Sequence, residues 1–280
     1  MMWSVLCGLA STVFAAQDGE VELRIVHTND THSCVMPVNP NSSDTALADK
    51  GGFVRRAALV RDLRAEDPDL LLFDSGDFSQ GSAYYNLYKG DVEVKLMNEM
   101  RYDAATIGNH EFDFGLDNMA RIFREATFPI VCANYHFEGT VLEGLVRPYV
   151  ILERKGVKLG VFGLGTQLEG MVASENYKGV TYEDPVTAAN RVADELKNKE
   201  HCDLVVCLSH LGWDIDGLDD TELVSATRHI DIVLGGHSHT YFEHPEVLKN
   251  ADGEDVYCNQ MGKHGRYVGM LLLEMSPTGD

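Results

Sequence analysis

The chain has 280 residues, 44% hydrophobic and 24% charged, a globular composition rather than that of a disordered chain. Its 23 Lys and Arg stand against 44 Asp and Glu, a net charge of −21, which argues against a nucleic-acid polymer as partner because phosphate backbones are bound through basic surface. An anionic small molecule stays admissible if bound cations attract it, and no apolar run reaches the roughly 18 to 20 residues of a membrane span.

Val5 to Ala16 is apolar over about a dozen residues, the length of a signal-peptide core, and Val13-Phe14-Ala15-Ala16 offers small residues for cleavage. Residues 1–16 are therefore expected to direct export to the periplasm or the extracellular space, although no basic residue precedes them; a buried first strand or helix is the alternative. Residues 17–280 are expected to form one domain. The six cysteines, Cys7, Cys34, Cys132, Cys202, Cys207 and Cys258, lack zinc-ribbon spacing, and Cys132, Cys202 and Cys207, in or beside apolar strands, read as small buried hydrophobes.

Strand and helix patterns then alternate along the chain. Val21 to His27 alternates apolar and polar residues and reads as a strand. Val35 to Asp49, rich in Pro, Asn, Ser and Asp, reads as a surface loop. Gly52 to Glu66 has helical spacing and is closed by Pro68. Leu70 to Phe73 is a short buried strand, Asp91 to Met100 a helix, Ala104 to Ile107 a strand, Leu116 to Ala126 a helix and Pro129 to Cys132 a strand. Val146 to Glu153 and Val157 to Leu164 read as a hairpin turning at Arg154-Lys155-Gly156. Pro185, suited to a first helical turn, opens a helix to Lys199. Leu204 to Leu208 and Ile232 to Leu234 read as buried strands around a helix at Asp219 to Thr227. A last hairpin is expected from Val256 to Met275 through Lys263-His264-Gly265. The sum is an α/β chain with buried sheets and covering helices.

Five apolar strands run at their C-terminal ends into Asp, Asn or His. They end in His27-Thr28-Asn29-Asp30-Thr31-His32, Asp74-Ser75-Gly76-Asp77, Gly108-Asn109-His110-Glu111, Ser209-His210 and Gly235-Gly236-His237-Ser238-His239. Carboxyl ends of α/β strands converge on one crevice, so five distant loops can meet there. Imidazole, carboxylate and amide oxygen without thiolate suit zinc, manganese or iron in a catalytic rather than a structural site. Glycines before Asp77, Asn109 and His237 are expected to let the backbone turn tightly. Taken singly, Asp30-x-His32 and Gly76-Asp77 are ordinary loop chemistry, Asn109-His110-Glu111 could be a helix cap, and His210 could be a core histidine. All five together point to a two-metal clamp for displacement at phosphorus.

The series Asp30-Thr31-His32, Gly76-Asp77, Gly108 to Glu111, Ser209-His210 and Gly236 to His239 resembles the calcineurin-like metallophosphoesterase superfamily. The stretch Gly108 to Gly115, with Leu23 to Asp30 and Gly51 to Arg64, resembles its 5′-nucleotidase branch over about Val21 to Met275. The resemblance implies a four-layer α/β/β/α sandwich of two mixed sheets, the metallophosphatase fold. It implies two divalent metal ions (Mn, Zn, Fe or Co), one held by Asp30, His32, Asp77 and His239, the other by Asp77, Asn109, His210 and His237, with Asp77 shared. It implies that His110, with Asp113 as its partner, and Asn109 act on the phosphate and the leaving oxygen, and that Asn109 and His110 bind substrate. The implied activity is hydrolysis of a small phosphoester, a nucleoside monophosphate first, by water activated at the metals. A 2′,3′-cyclic nucleotide or a nucleotide sugar is an alternative substrate, and a non-catalytic nucleotide-binding subunit is an alternative of another class. Members of the branch usually carry a second domain with arginines for the phosphate and aromatic rings for the base; this chain is expected to hold the catalytic part only, with a separate protein able to supply the rest. His27 is expected in the core or behind the ligands, His264 as a structural residue of a late hairpin turn with a rim role as the alternative, and Asp214 and Asp216 as solvated loop acids.

Overall fold

The described residues of the protein, seen in a computed structural model, are 4–6, 21–43, 45 and 48–275. The expected export segment, apart from Ser4–Leu6, lies outside them, as does Cys7.

A seven-stranded sheet contains β1 (Ser4–Leu6), β2 (Val21–Thr28), β3 (Leu71–Asp74), β4 (Ala104–Ala105), β5 (Ile130–Val131), β7 (Val146–Arg147) and β15 (Gly269–Met275), in the order β1-β15-β2-β3-β4-β5-β7. A six-stranded sheet contains β8 (Tyr149–Arg154), β9 (Val157–Gly165), β11 (Leu204–His210), β12 (Ile232–Leu234), β13 (Glu246–Lys249) and β14 (Asp255–Asn259), in the order β13-β14-β12-β11-β9-β8. Strands β2, β3, β4, β5 and β7 are parallel, as are β9, β11, β12 and β14. A small ladder pairs β6 (Tyr135–His136) with β10 (Thr181–Tyr182).

Strand periodicity decides the layers. Leu23 and Ile25 of β2, Leu71 and Phe73 of β3, and Leu204, Val206 and Leu208 of β11 face the seam between the sheets. Val26 and Leu72 face outward, under α1 (Phe53–Glu66), α3 (Asp91–Met100) and α4 (Gly115–Glu125). Val205, Cys207 and Val233 face α5 (Pro185–Asp194) and α6 (Asp220–Ala226) on the other side. With both faces of each sheet covered, the central strands read as continuous apolar runs rather than alternating ones. The architecture is the expected α/β/β/α sandwich of two mixed sheets.

Two expected hairpins are not as drawn. Val146 and Arg147 pair with β5 in the first sheet, and only Tyr149–Arg154 pairs with β9 in the second. Pro148, which has no N–H to give a ladder, marks the crossing. The last hairpin is likewise two strands of different sheets: β14 lies parallel to β12, and β15 antiparallel to β2. Residues 260–268 carry the chain between them. The sequence pattern missed the short helix α2 (Ala83–Tyr88), capped by Ser82, and the edge strand β13. The five described cysteines are free, and Cys132, Cys202, Cys207 and Cys258 are buried as small core residues.

Candidate metal centre

The five loops expected to converge do so at the carboxyl ends of both sheets. Ser75, just after β3, ties the sheets together there: its hydroxyl donates to Leu234 O at 2.7 Å, and its carbonyl accepts from His210 Nδ1 at 2.7 Å.

Two donor groups result. Asp30, His32 and His239 place one ligand atom each within 4.8 Å of one another, and Asp77, His210 and His237 do the same. In the first, His32 Nε2 lies 3.0 Å from His239 Nε2, and Asp30 Oδ1 lies 3.4 Å from His239 Nε2. In the second, His210 Nε2 lies 3.2 Å from Asp77 Oδ2. Each group takes residues from both sheets: Asp30, His32 and Asp77 follow strands of the first, His210 and His237 and His239 strands of the second.

The hydrogen bonds behind these side chains aim their lone pairs inward. His210 donates from Nδ1 to Ser75 O, and His32 places Nδ1 3.4 Å from Ser79 O, which leaves Nε2 of each free to accept a cation. Asn109 Oδ1, His210 Nε2 and His237 Nδ1 are buried without a hydrogen-bond partner among the described residues. Buried acceptors are seldom left unpaired without a reason. His210 and His237 share one donor group with the buried Asp77 carboxylate, and the Asn109 amide oxygen is an unpaired oxygen donor on the neighbouring loop, residue types that fit a borderline divalent cation. Burial, and then the charge of His210, lowers His237 to about 4, so its lone pair is available at neutral pH. Burial alone would lower His210 as well, but the Asp77 carboxylate outweighs it and raises it to about 10. That proton occupies the place a cation would take.

The backbone is bent to make this happen. Asp30, His32, Asp77, His237 and His239 all have φ between +43° and +70°, a region that side-chain-bearing residues adopt at a cost. One of the three glycines takes the expected turn. Gly76 makes a left-handed turn at φ +87°, but Gly108 and Gly236 serve close approach instead. A Cβ at Gly108 would fall on Asp77 Oδ1 and lie 2.7 Å from His210 Nε2; at Gly236 it would lie 2.8 Å from His210 Nδ1.

Beside the two groups, His110 Nδ1 lies 3.1 Å from Asp113 Oδ2, and its ring centroid is 5.5 Å from that of His32. The hydrogen bond to Asp113 is the largest influence on His110 and, against the effect of burial, raises its pKa.

Residues 23–241 match the calcineurin-like phosphoesterase family. The chain belongs to that family. This phosphoesterase is 32% identical over 296 residues to human 5′-nucleotidase, covering 99% of the chain and 50% of that protein. Among solved structures it resembles the 5′-nucleotidase precursor of Thermus thermophilus, with a TM-score of 0.81 and 33% identity over 90% of this chain and 51% of that one. It also resembles the NAD nucleotidase of Haemophilus influenzae, with a TM-score of 0.80 and 27% identity over 93% of this chain and 48% of that one. The chain thus spans about half the length of the relatives it matches.

Of the seven metal-binding side chains expected in this phosphoesterase, six fall into the two groups. Asn109 lies between Gly108 and His110, whose backbone N–H reaches Asp77 Oδ1, and its amide oxygen is unpaired among the described residues. Asp77 belongs by distance to the second group; its Oδ1 accepts the His110 N–H at 2.9 Å, and its charge acts on His32 of the first group. Asp214 and Asp216 are both exposed, as ordinary loop acids are.

Three buried residues that hold the ligand loops were not read from the sequence. Glu111 accepts from the N–H groups of Asp77 (3.0 Å), Ser79 (3.0 Å) and Gly108 (2.7 Å), joining two loops through one carboxylate. Burial, followed by the charge of Asp77, lifts it to about 7. Gln260 accepts from Ser238 Oγ and Thr240 N and donates to Gly236 O, fixing both sides of the His237–His239 loop. Asn29 donates to Asp30 Oδ2 and Gly262 O and accepts from Met261 N. The sequence hint for Glu111 was its place between His110 and a core phenylalanine; a capping reading absorbed it.

Proposed function

We propose that this chain is the catalytic part of an exported, metal-dependent phosphomonoester hydrolase that releases phosphate from nucleoside 5′-monophosphates. The observation that carries the reading is the pair of donor groups, with buried lone pairs unpaired, beside the His110–Asp113 couple. The names of its relatives favour the nucleotide substrate.

Asp30, His32 and His239 would hold one divalent ion and Asn109, His210 and His237 the other, with Asp77 between them. Such a pair supplies Lewis-acid polarisation of phosphoryl oxygens and acidifies water. The chain's own groups do the rest. Ser75 O and Ser79 O fix the tautomers of His210 and His32. Asp113 holds His110 by Nδ1 and so presents Nε2 to the leaving oxygen. As the bond from phosphorus to the ribose O5′ breaks, a water oxygen becomes the fourth oxygen of phosphate and O5′ takes its proton from His110 Nε2. The buried Glu111 keeps the Asp77 and Asn109 loops in register throughout.

The similarity to a NAD nucleotidase supports a second reading, cleavage of a dinucleotide or nucleotide sugar at its diphosphate. Groups that read the nucleoside would come from further chain or from a separate partner. Purified protein given AMP, p-nitrophenyl phosphate, NAD and a nucleotide sugar with Mn²⁺ or Zn²⁺ separates the readings. Phosphate from AMP, abolished by chelation and by Asp77→Asn, is the expected result. Full turnover after chelation and dialysis into metal-free buffer refutes the proposal.

A further inference from the structure

His264 stands outside the seven metal-binding side chains, on the segment 260–268 that crosses between the sheets. Three hydrogen bonds fasten this segment to the first donor group. Met261 N donates to Asn29 Oδ1 at 2.8 Å, Asn29 Nδ2 donates to Gly262 O at 2.8 Å, and His264 N donates to Asp30 O at 2.7 Å. Held in this way, the His264 ring lies 5.8 Å from the His32 ring, centroid to centroid, on a site whose other neighbours are His110 and His239. His264 sits at φ +63°, where glycine would be easier, as Gly262 and Gly265 on either side show.

Arg266 Nη2 lies 3.0 Å from His264 Nδ1. A guanidinium has only donors, so Nδ1 is the acceptor and the single ring proton is on Nε2. This tautomer cannot ligate a metal through either nitrogen, since Nδ1 is taken and Nε2 carries the proton. Among the described residues Nε2 has no hydrogen-bond partner. The couple is thus a neutral N–H donor of fixed orientation at the edge of the metal centre, with a cation behind it.

We propose that His264 is a substrate-binding residue, its Nε2–H donating to a phosphoryl oxygen of the phosphoester, with Arg266 as the positioning residue that fixes its tautomer. The inference rests on the reading that the centre binds a phosphoester, and deepens it.

Two variants separate ring from backbone. His264→Gly keeps the left-handed turn and removes the donor; Arg266→Met keeps the ring and frees the tautomer. In the Zn²⁺-loaded protein, ¹⁵N-histidine NMR is expected to show His264 with Nε2 protonated and Nδ1 bare, and the Nε2 signal is expected to move on adding inorganic phosphate. Calorimetry is expected to show phosphate affinity about tenfold weaker in His264→Gly, the loss of one hydrogen bond to an anion, with metal content unchanged. Arg266→Met is expected to lose the single-tautomer signature and about threefold in affinity. Phosphate affinity within twofold of wild type in His264→Gly, or a ring protonated on Nδ1, overturns the proposal. Phosphate binding that depends on His264 in a protein that hydrolyses no nucleotide leaves it standing and removes the nucleotidase reading. No phosphate binding by the loaded wild type removes both.

Discussion

Glu111→Gln tests whether one buried carboxylate organises the metal centre. Glu111 is 1% exposed, and its two oxygens receive three backbone N–H groups. Glutamine fits the space but offers one oxygen. Its best pose puts that oxygen where Oε2 stood, keeping Asp77 N and Gly108 N, and turns the amide NH₂ against the N–H of Ser79. One charge-assisted hydrogen bond is lost, about 1.5–3 kcal/mol, and a buried donor is orphaned, about 1–3 kcal/mol more, a total of roughly 3–5 kcal/mol. All three donors belong to the loops bearing Asp77 and Asn109. If about half of the loss, about 2 kcal/mol, falls on the ion-bound geometry, affinity for the second cation drops roughly 30-fold. At pH 8, above the value of about 7 to which burial raises it, Glu111 is ionised and the comparison is clean. Urea unfolding of the metal-free protein reads the stability, and a chelator-competition titration with Zn²⁺ reads the affinity. An unchanged unfolding midpoint together with affinity within threefold of wild type would refute the reasoning.

Other substitutions probe neighbouring links. His27 is fully buried on the seam side of β2, against Gly269, with neither ring nitrogen paired, and burial lowers it to about 3. Above its unfolded value of 6.5 it is neutral in both states; as pH falls from 6.5 toward about 3 only the unfolded chain takes the proton, so stability is lost at about 1.4 kcal/mol per pH unit. His27→Leu should therefore gain about 2 kcal/mol relative to wild type on going from pH 7.5 to 5, read as the difference in urea midpoints of the metal-free proteins; parallel pH profiles would show the ring to be solvated. Gly108→Ala should abolish binding of the second ion, measured as metal content after gel filtration, because its Cβ displaces Asp77 Oδ1 and crowds His210 Nε2 at 2.7 Å. Asp113→Asn should lower kcat on AMP by about 10²-fold with metal content intact, since it disturbs only the orientation and basicity of His110; a change confined to KM would assign Asp113 to binding instead.

What the sequence disclosed has a physical boundary. The donors were legible because each sits at the end of an apolar run, and a short run followed by Asp, Asn or His is a local pattern. The layers were legible because Leu23, Ile25 and Val26 sort to opposite faces by period alone. Sheet membership was not. Val146 and Tyr149 look like one strand, as do the two arms around His264, because alternation says which face a residue takes but not which ladder it joins. Glu111, Gln260 and Asn29 were hidden for a related reason. Their partners are backbone groups of distant loops, and an N–H carries no side-chain signature for a sequence reader to find.

Since each donor group borrows from both leaves of the sandwich, an ion in either place acts as a rivet through the seam. Melting must then expel both ions at once, so the thermal midpoint should climb with the logarithm of free metal concentration, at a slope set by two sites rather than one. Starvation for metal would loosen the whole body, not merely silence its chemistry.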